Sequence, residues 1–240
     1  MLRTREQSQL VEVDVVGAPE TIAVMCGRVG SSLNASDLVT AYPWLREVPA
    51  VTARYNIAPT DPLLVVDGER ADLVRWGIDG GGGELFNLRA ETALKGGFYQ
   101  HLLLTSRVIV PVSHFYEWRT VGSRRLPVAV LRSDGAPISL AGLLGRHDGA
   151  PAVTILTTTP NPDLEPLHNR MPVVLSDHDA HAWVRAKLGL DRLASMLTPC
   201  PSGFLQLRPA SPLVNGVHNE GPELLDPNAL PPHYQLDLIG

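Results

Sequence analysis

Glycine and proline interrupt this sequence from end to end, since its 240 residues include 21 of each. Both residues break helices: proline lacks the backbone N–H, and glycine loses more conformational entropy on folding than any other residue. Breakers at this density exclude a helical bundle. They also leave no run of the roughly 18–20 apolar residues that a membrane-spanning helix needs. Because 44% of the residues are hydrophobic, we expect one globular domain rather than a disordered chain.

Short β-branched runs bounded by turn residues predict a chain dominated by strands. Helical spacing is confined to residues 35–42 after the capping type Asn34, residues 179–188 after Ser176, residues 190–197 and one turn at 162–167. Four glycines at 80–83 predict a loop. With no repeat and no linker, we predict a single compact α+β domain of coiled, mostly antiparallel sheets with a few short helices. The predicted strands are Leu63–Val66, Arg107–Val112, Pro127–Leu131, Ile138–Leu140, Ala152–Thr158 and Val173–Leu175.

Charge and cysteine content restrict the class of protein further. The formal net charge of −5 argues against a wholly basic nucleic-acid binder, although a local basic groove stays possible. Two cysteines, Cys26 and Cys200, are too few for a disulfide framework and are typical of a reducing compartment. Residues 1–24 lack the apolar stretch of a secretory signal. We therefore expect a cytoplasmic protein.

The beginning of the chain has two interpretations. Residues 1–25 are either a loose tail with an early edge strand, or a leader that lies upstream of the true start. In the second interpretation translation begins at Met25, and removal of that methionine leaves Cys26 with a free α-amine. An N-terminal cysteine offers an amine of pKa about 7.7–8.0 beside a thiol of about 8.5. This pair condenses with an aldehyde, first to a Schiff base and then to a five-membered thiazolidine ring.

Three of the 13 aromatic residues surround one carboxylate in residues 114–118, immediately after a predicted buried strand. A carboxyl group enclosed by rings is desolvated, which raises its pKa and allows it to act as an acid. Glu117 is therefore a candidate general acid. The alternative is a surface glutamate beside Trp118 in the core.

Two further segments concentrate polar side chains. His168 and Arg170 precede Pro172 in a turn before a strand, where functional sites are commonly built, although a single histidine is more often structural. Strand alternation in residues 87–92 would place Asn87, Arg89 and Glu91 on one face. That face is either a solvated row of charges or an anion-binding surface on which Glu91 holds Arg89.

Common enzyme signatures are absent from the sequence. It contains no phosphate-binding GxxxxGK[ST], no GxGxxG after a strand and no GxSxG turn. Its eight histidines lack CxxC or HExxH spacing, so we expect neither a metal site nor a cofactor.

Ten motifs in order make the sequence resemble the SRAP family, the SOS-response-associated peptidase-like proteins that cross-link to abasic DNA. The resemblance extends over some 200 residues, which assigns 26–226 to the domain and 227–240 to a C-terminal tail. Each motif is weak alone, but their order is highly specific. They are Met-Cys-Gly-Arg at 25–28, Tyr-Asn-Ile-Ala-Pro-Thr at 55–60, Arg-Trp-Gly at 75–77, Asn-Leu-Arg-Ala-Glu-Thr at 87–92, Val-Pro at 110–111, Phe-Tyr-Glu-Trp at 115–118, Ala-Gly-Leu at 141–143, Leu-Thr-Thr at 156–158, His-Asn-Arg-Met-Pro-Val-Val-Leu at 168–175 and Val-Asn at 214–215.

The resemblance implies a monomeric domain without metal or cofactor that captures abasic deoxyribose in single-stranded DNA or at a junction with duplex. Carried over to this sequence, Cys26 supplies the amine and the thiol. Asn87 holds the opened sugar, Glu117 serves as acid and base, and His168 assists proton transfer and reversal. A bacterial protein of this kind is expected to associate with the nucleoid while it is bound to DNA.

The same comparison suggests the DNA contacts. Arg28, Arg89 and Arg170 are candidates for phosphate binding, and Trp76 and Pro59 are candidates for stacking or wedging under displaced bases.

The sequence departs from the family pattern at four places. His114 replaces the usual glycine before Phe-Tyr-Glu-Trp, and could narrow the pocket or add a titrating group. Leu144 stands where tryptophan is common, and Gly80–Gly83 replaces a Pro-x-Trp loop. The fourth departure is the 25-residue leader, which would acylate the amine of Cys26.

Two other functions are compatible with these residues. A thiol peptidase would use Cys26 as nucleophile and His168 as base. A non-catalytic DNA-binding module would use the aromatic cluster only for stacking.

Overall fold

The computed structural model describes residues 27–122 and 124–229. Cys26, residues 1–25 and the tail beyond Ala229 lie outside the described residues, so the predictions on them stay predictions. The α-helices are α1 (Ala35–Ala41), α2 (Ala90–Leu94), α3 (Gly97–Thr105), α4 (Asp177–Arg185) and α5 (Leu190–Met196). The strands are β1 (Val29–Ser31), β2 (Arg54–Ile57), β3 (Pro62–Asp67), β4 (Arg70–Trp76), β5 (Ile78–Gly80), β6 (Gly83–Leu85), β7 (Asn87–Arg89), β8 (Arg107–Val112), β9 (His114–Val121), β10 (Arg124–Arg132), β11 (Ile138–His147), β12 (Ala150–Thr158), β13 (Met171–Pro172), β14 (Val174–Leu175) and β15 (Leu205–Pro209).

Side-chain caps fix the starts of two helices. Asn34 accepts hydrogen bonds from the backbone of α1, and Asp37 returns one to the Asn34 N–H, which forms a capping box. Ser176 caps α4 by accepting from Asp179 N–H at 3.1 Å. Both capping residues were identified from the sequence.

The strands form two main sheets. One has the order β15–β10–β9–β1–β2, and its strands pair antiparallel. The other contains a closed circuit of pairings, β3–β4–β12–β11–β8 and back to β3, which makes a small barrel. Strands β7, β13 and β14 attach to this barrel, and β12 pairs in parallel with β4 and β7. The predicted α+β domain of mostly antiparallel sheets is therefore confirmed.

Alternate residues of the barrel strands enter two apolar clusters. Val108 and Val110 of β8 belong to the cluster that also contains Phe115 and Val130 of the other sheet. Ile109, between them, belongs to the cluster beneath the helices, with Trp183 of α4. Burial on both faces explains why β8 reads as an uninterrupted apolar run.

The strands were found more reliably than the segments between them. Residues 107–112 are a strand as predicted, and the Phe-Tyr-Glu-Trp segment that follows it is itself part of a strand, β9. Residues 162–167 form hydrogen-bonded turns instead of a helix. Gly80 and Gly83 pair across the β5–β6 hairpin, so the four glycines make a hairpin turn. Among the described residues, no helix has the length and apolar character to cross a bilayer.

Candidate functional site

The strand that carries the beginning of the domain lies beside Glu117. β1 pairs with β9 so that Val29 faces Phe115, and Tyr116 N–H donates to Arg28 C=O at 2.9 Å. Continued by two residues, this antiparallel register places Gly27 opposite Glu117. Glu117 is only 5% exposed. The chain therefore brings the residue next to Cys26 to a buried carboxyl group.

Asn87 and His168 border the same apolar cluster as Glu117. Asn87 begins β7 opposite Ile155 of β12, and Ile155 shares a cluster with Phe115, two residues before Glu117. Leu167, next to His168, packs on that cluster too. Asn87, Glu117 and His168, which are 30, 51 and 81 positions apart in sequence, are thus each next in register or in sequence to a residue that belongs to this cluster or packs on it.

The environment of His168 favours its neutral form. Burial lowers the pKa of His168, and the positive charge of Arg125 lowers it further. Its Nδ1 accepts the backbone N–H of Arg170 at 3.2 Å, so the neutral ring carries its proton on Nε2. His168 therefore offers an N–H donor at neutral pH.

Arg170 is engaged by the protein itself. Its guanidinium makes a bidentate ion pair with Glu91, at 2.6 and 2.9 Å, and donates to Thr157 C=O at 2.5 Å. This pair holds the pKa of Glu91 below its usual range. Of the two alternatives for residues 87–91, neither places Glu91 correctly, because the strand ends at Arg89 and Glu91 lies in α2. Glu91 pairs with Arg170, and Arg89 acts on it only through its charge. Arg89 itself is exposed.

Arg28 and Trp76 are buried where DNA contacts were expected. Arg28 is 9% exposed, and its Nη1 donates to Asn56 Oδ1 at 2.6 Å and to Val214 C=O at 2.7 Å. Trp76 is fully buried and donates its indole N–H to Phe86 C=O at 2.9 Å. A guanidinium bound to the protein and a ring with no exposed face fit structural roles. We therefore replace the expected phosphate contact and stacking contact by these roles.

Pro59 remains accessible beside the buried Trp76. It is half-buried in a turn, and Thr60 N–H donates to Trp76 C=O at 2.9 Å. Thr60 has a φ of 80°, a conformation that costs energy for a β-branched residue. The turn is thus held against the end of β4, with the proline ring partly open to a ligand.

His114 is part of the packing between β1 and β9. It is 1% exposed, and burial lowers its pKa to about 4. A Cβ on Gly30 would lie 2.1 Å from His114 Nε2, so only glycine fits beneath the ring. His114, which the sequence suggested as an additional titrating group, is therefore neutral near pH 7.

Asn56 and Thr157 are polar site residues that the sequence did not single out. Asn56 is fully buried and accepts from Arg28, while Thr157 contacts Arg170 through its carbonyl and hydroxyl oxygens. Both lie in motifs already recognised, at 55–60 and 156–158. Their contacts depend on strand pairings that join distant parts of the chain, which no local pattern reveals.

One group of residues has the composition of a metal site. Potential ligand atoms of Asp79, His147 and Asp148 all lie within 4.8 Å of one another. His147 Nδ1 is 2.9 Å from Asp79 Oδ1, and Asp79 also accepts the backbone N–H of Asp148 at 3.1 Å. The two aspartates are exposed, and these short internal contacts account for the arrangement.

Cys200 lacks the features of a nucleophile. It is buried, and burial raises the pKa of its thiol to about 11. A thiol that stays protonated is a poor nucleophile. Any cysteine chemistry in this chain therefore falls to Cys26.

Comparisons with known proteins concern the family and the fold of the chain. Residues 25–217 match the family described as SOS response associated peptidase (SRAP). The chain is 31% identical over 222 residues to the abasic site processing protein YoaM of Bacillus subtilis strain 168, which covers 84% of this chain and 98% of the relative. It is 30% identical over 221 residues to the abasic site processing protein YedK of Escherichia coli K12, which covers 85% and 100%. A crystal structure of a Bacteroides thetaiotaomicron protein shares the fold with a TM-score of 0.73 at 18% identity, and covers 84% of this chain and 99% of that one.

Proposed function

Because the chain belongs to the SRAP family, we propose that it processes abasic sites in DNA by forming a covalent thiazolidine between Cys26 and the opened sugar. The observation that carries this proposal is the β1–β9 register, which brings Gly27 to the buried Glu117. Consecutive Cα atoms are about 3.8 Å apart. A residue bonded to Gly27 can therefore place its amine and thiol next to this carboxyl group. The relatives named above as abasic site processing proteins support the choice of substrate.

The chemistry needs an amine, a thiol and a group that moves protons. The ring-opened deoxyribose presents an aldehyde at C1′. The Cys26 amine adds to this carbon, and loss of water gives the Schiff base. The thiol then adds to the same carbon and its proton passes to the nitrogen, which closes the thiazolidine ring. The sum is one water released for one ring formed, with no redox change.

Glu117 is the residue that we assign to these proton transfers. As an acid it would protonate the sugar ring oxygen during opening and the hydroxyl that leaves as water. As a base it would accept the proton of the ammonium group before addition. A carboxyl group buried in β9 is shielded from water, which is the condition under which such a group works near neutral pH.

Asn87 and His168 complete the proposed site. The amide of Asn87, at the start of β7, would hold the sugar hydroxyls or the aldehyde oxygen. His168, neutral with its proton on Nε2, would donate to an oxygen of the opened sugar and take part in reversal. Arg170 positions this machinery by binding Glu91 and Thr157 and by fixing His168 Nδ1 through its backbone N–H.

Arg89 and Pro59 are the DNA contacts that we retain. Arg89 is exposed at the end of β7, two residues from Asn87, so its guanidinium can reach a phosphate next to the captured sugar. Pro59 would wedge under a displaced base. Single-stranded DNA is the proposed partner, the cytoplasm is the proposed compartment, and association with the nucleoid would follow from DNA binding.

The proposal requires that Cys26 be N-terminal, because an acylated nitrogen cannot form a Schiff base. We therefore keep Met25 as the proposed start, with cleavage of the Met25–Cys26 bond as a second route. Intact-mass measurement of protein expressed from its native gene tests this. A protein that begins at Met1 and still forms the adduct would contradict the requirement.

The direct experiment compares chains that differ only at the N-terminus. Protein beginning at Cys26 is incubated with uracil-excised single-stranded DNA and resolved under denaturing conditions. We expect a stable adduct, and none for C26S, for a chain with one added residue before Cys26, or for DNA without the abasic site. A peptidase would need the thiol but not the amine, so peptide hydrolysis that survives the added residue, without any adduct, would favour that alternative.

A further inference from the structure

The β9–β10 hairpin extends from the site into solvent. Its root is buried at Glu117, while residues 119–121 and 124–126 are exposed. Alternation along β9 puts Arg119 and Val121 on the same face as Glu117. The antiparallel register pairs Glu117 with Val128, Arg119 with Leu126, and Val121 with Arg124.

Four side chains therefore make a strip on that face, which we call the hairpin strip: Arg119, Val121, Arg124 and Leu126. Val121 is 53% exposed and Leu126 is 42% exposed. Within residues 27–122 and 124–229, the guanidinium group of neither strip arginine makes a hydrogen bond or an ion pair. By contrast, the exposed Arg185 and Arg192 pair with carboxylates. The strip thus offers two unengaged guanidinium groups beside two aliphatic side chains.

The other face of the hairpin also approaches the site. The Arg125 guanidinium lies 5.5 Å from the centre of the Trp118 ring. Its charge is close enough to His168 to lower the pKa of that residue. Arg125 therefore brings positive charge to bear on His168 from one face of the hairpin, and a ligand strand that leaves Glu117 along β9 meets the hairpin strip on the other face.

We propose that the hairpin strip binds the phosphodiester backbone of the DNA strand that continues from the captured sugar, an inference that rests on the proposed function. Guanidinium groups donate paired hydrogen bonds to phosphate oxygens, and aliphatic side chains accept the apolar faces of sugars and bases. Residues on one strand face repeat every ~6.8 Å. Arg119 therefore lies about 7 Å, and the Val121–Arg124 pair about 14 Å, from Glu117 along the strand. These distances suit the first and second phosphates beyond the abasic residue in an extended strand.

The test measures non-covalent binding, so that it does not depend on the adduct. The probe is a single-stranded oligonucleotide with one central tetrahydrofuran residue, an abasic analogue that cannot open to an aldehyde. Affinity is measured over a range of KCl concentrations for protein beginning at Cys26 and for R119Q/R124Q. Each phosphate contact on single-stranded DNA contributes about 0.7 to the slope of log affinity against log salt. We expect the double variant to lose about 1.4 from that slope.

Two control variants separate charge from folding. R192Q removes one positive charge from an exposed, ion-paired arginine on α5 and should keep the wild-type slope. R119K/R124K retains both charges and should also keep most of the slope. Thermal unfolding of R119Q/R124Q should be close to that of the wild type, because the two side chains make no hydrogen bond or ion pair within the described residues.

The position of the contacts is tested by placing single neutral methylphosphonate linkages one or two nucleotides from the analogue, on either side. We expect the wild type to lose affinity for neutral linkages on one side only, and R119Q/R124Q to be indifferent to the same linkages. The experiment is repeated with duplex on that side. A difference confined to the duplex probe would assign the phosphates to a duplex strand, and a difference in both would assign them to the continuing single strand.

Two results would overturn the inference in distinguishable ways. If the wild type binds the probe and forms the adduct but R119Q/R124Q keeps the full salt slope, the hairpin strip does not contact phosphate. If the wild type neither binds abasic DNA nor forms an adduct, the proposed function itself fails, and the strip with it.

Discussion

Glu117 occupies an unusual place for an acidic residue, since it lies within a strand and is 5% exposed. Acidic side chains are rarely buried to this degree without a specific role. Its neighbours on the same strand face are Phe115 within the core and Arg119 in solvent, so it marks the point where the hydrophobic interior gives way to the exposed end of β9. A proton donor at such a boundary can reach the substrate while it stays out of bulk water.

Replacement of Glu117 by glutamine should separate chemistry from binding. General acid–base groups contribute typically 10²–10⁴-fold to rate. We therefore expect E117Q to form the adduct at least about 100-fold more slowly in single turnover, with near-normal affinity for the tetrahydrofuran probe. E165Q, at an exposed position, is the control and should behave as the wild type. Equal losses of rate and affinity in E117Q would instead make Glu117 a structural residue.

His114 should make the stability of the protein depend on pH. Burial lowers its pKa to about 4 in the folded state, against about 6.5 in the unfolded chain. Above pH 6.5 both states are neutral at this residue and its contribution is constant. Below that value the unfolded chain takes up the proton first, so the free energy of unfolding falls as the pH drops towards 4, by about 3 kcal/mol.

Urea denaturation at a series of pH values tests this prediction. Other groups titrate equally in wild type and variant, so the difference between the two isolates His114. For H114Q the stability deficit relative to wild type should shrink as the pH falls from neutral to 4. A difference between H114Q and wild type that does not change with pH would contradict the assigned protonation.

At the scale of elements, Arg107 joins two helices to the barrel. Its Nε donates to Trp183 C=O at 2.7 Å and its Nη2 to Ala186 C=O at 2.7 Å, while Nη1 donates to Leu103 and Leu104 C=O at 2.8 and 3.0 Å. These carbonyl groups belong to the ends of α3 and α4, which lack partners within their own helices. The buried guanidinium group of Arg107, the first residue of β8, thus caps the C-terminal ends of both helices.

Loss of this cap should destabilise the fold strongly. R107M retains the aliphatic stem but leaves four carbonyl groups without their donor, and hydrogen bonds from charged groups are worth roughly 1.5–3 kcal/mol each. We expect a decrease of about 3 kcal/mol or more in the free energy of unfolding, measured by urea denaturation. R185M, which removes the exposed ion pair between Arg185 of α4 and Glu69, should lower the free energy of unfolding much less, because solvent screens that pair. Similar losses in the two variants would refute the capping role.

The comparison of sequence and structure shows where local patterns carry information. β8 was predicted to the residue because it is buried on both faces, and the caps Asn34 and Ser176 act through neighbouring backbone groups. α3 was missed because it begins at Gly97 with a φ of 71°, after Gly96 at 115°. A pair of glycines in a sequence is typical of a loop. The helix that begins there is stabilised by the packing of Leu103 into the core.

The sequence predicts which residues belong to the candidate site better than it predicts which residues they contact. Glu117 was identified from its aromatic neighbours, but the pairing of Arg170 with Glu91 joins residues 79 positions apart. The same limit explains Arg28 and Trp76, whose residue types suit DNA contacts equally well. Their burial follows from the strand pairings of the whole domain, which are set by long-range contacts rather than by local sequence.

At the scale of the molecule, the end of the domain folds back onto its beginning. Arg28 and Asn56 both bind the segment 214–219: Arg28 donates to Val214 C=O, and Asn56 Nδ2 donates to Gly216 and Asn219 C=O, each at 2.9 Å. Glu220 accepts from Arg54 Nε at 2.5 Å. Residues up to 186 positions apart therefore support the strand that leads to Cys26.

Loss of the hydrogen bonds of Asn56 should slow adduct formation, although Asn56 is not one of the proposed catalytic residues. Asn56 is fully buried, and N56A removes one of the two acceptors of Arg28 Nη1, the donor to Asn219 C=O and one of the two donors to Gly216 C=O. At about 1–3 kcal/mol for a buried group left unsatisfied, we expect a loss of about 1–3 kcal/mol in the free energy of unfolding. We also expect faster proteolysis within 214–220 and slower adduct formation, because the start of β1 is less firmly held.

The conservative variant N56D separates the contribution of the bond to Arg28 from that of the bonds to the segment 214–219. An aspartate keeps an acceptor for Arg28 but cannot donate to Gly216 or Asn219, so proteolysis of 214–220 should increase as in N56A while the adduct rate stays closer to the wild type. If the rate falls equally in both variants, the fold-back segment itself holds the site. If proteolysis is unchanged in both, then Arg28 alone anchors the start of the domain, because its remaining bond to Val214 C=O is sufficient.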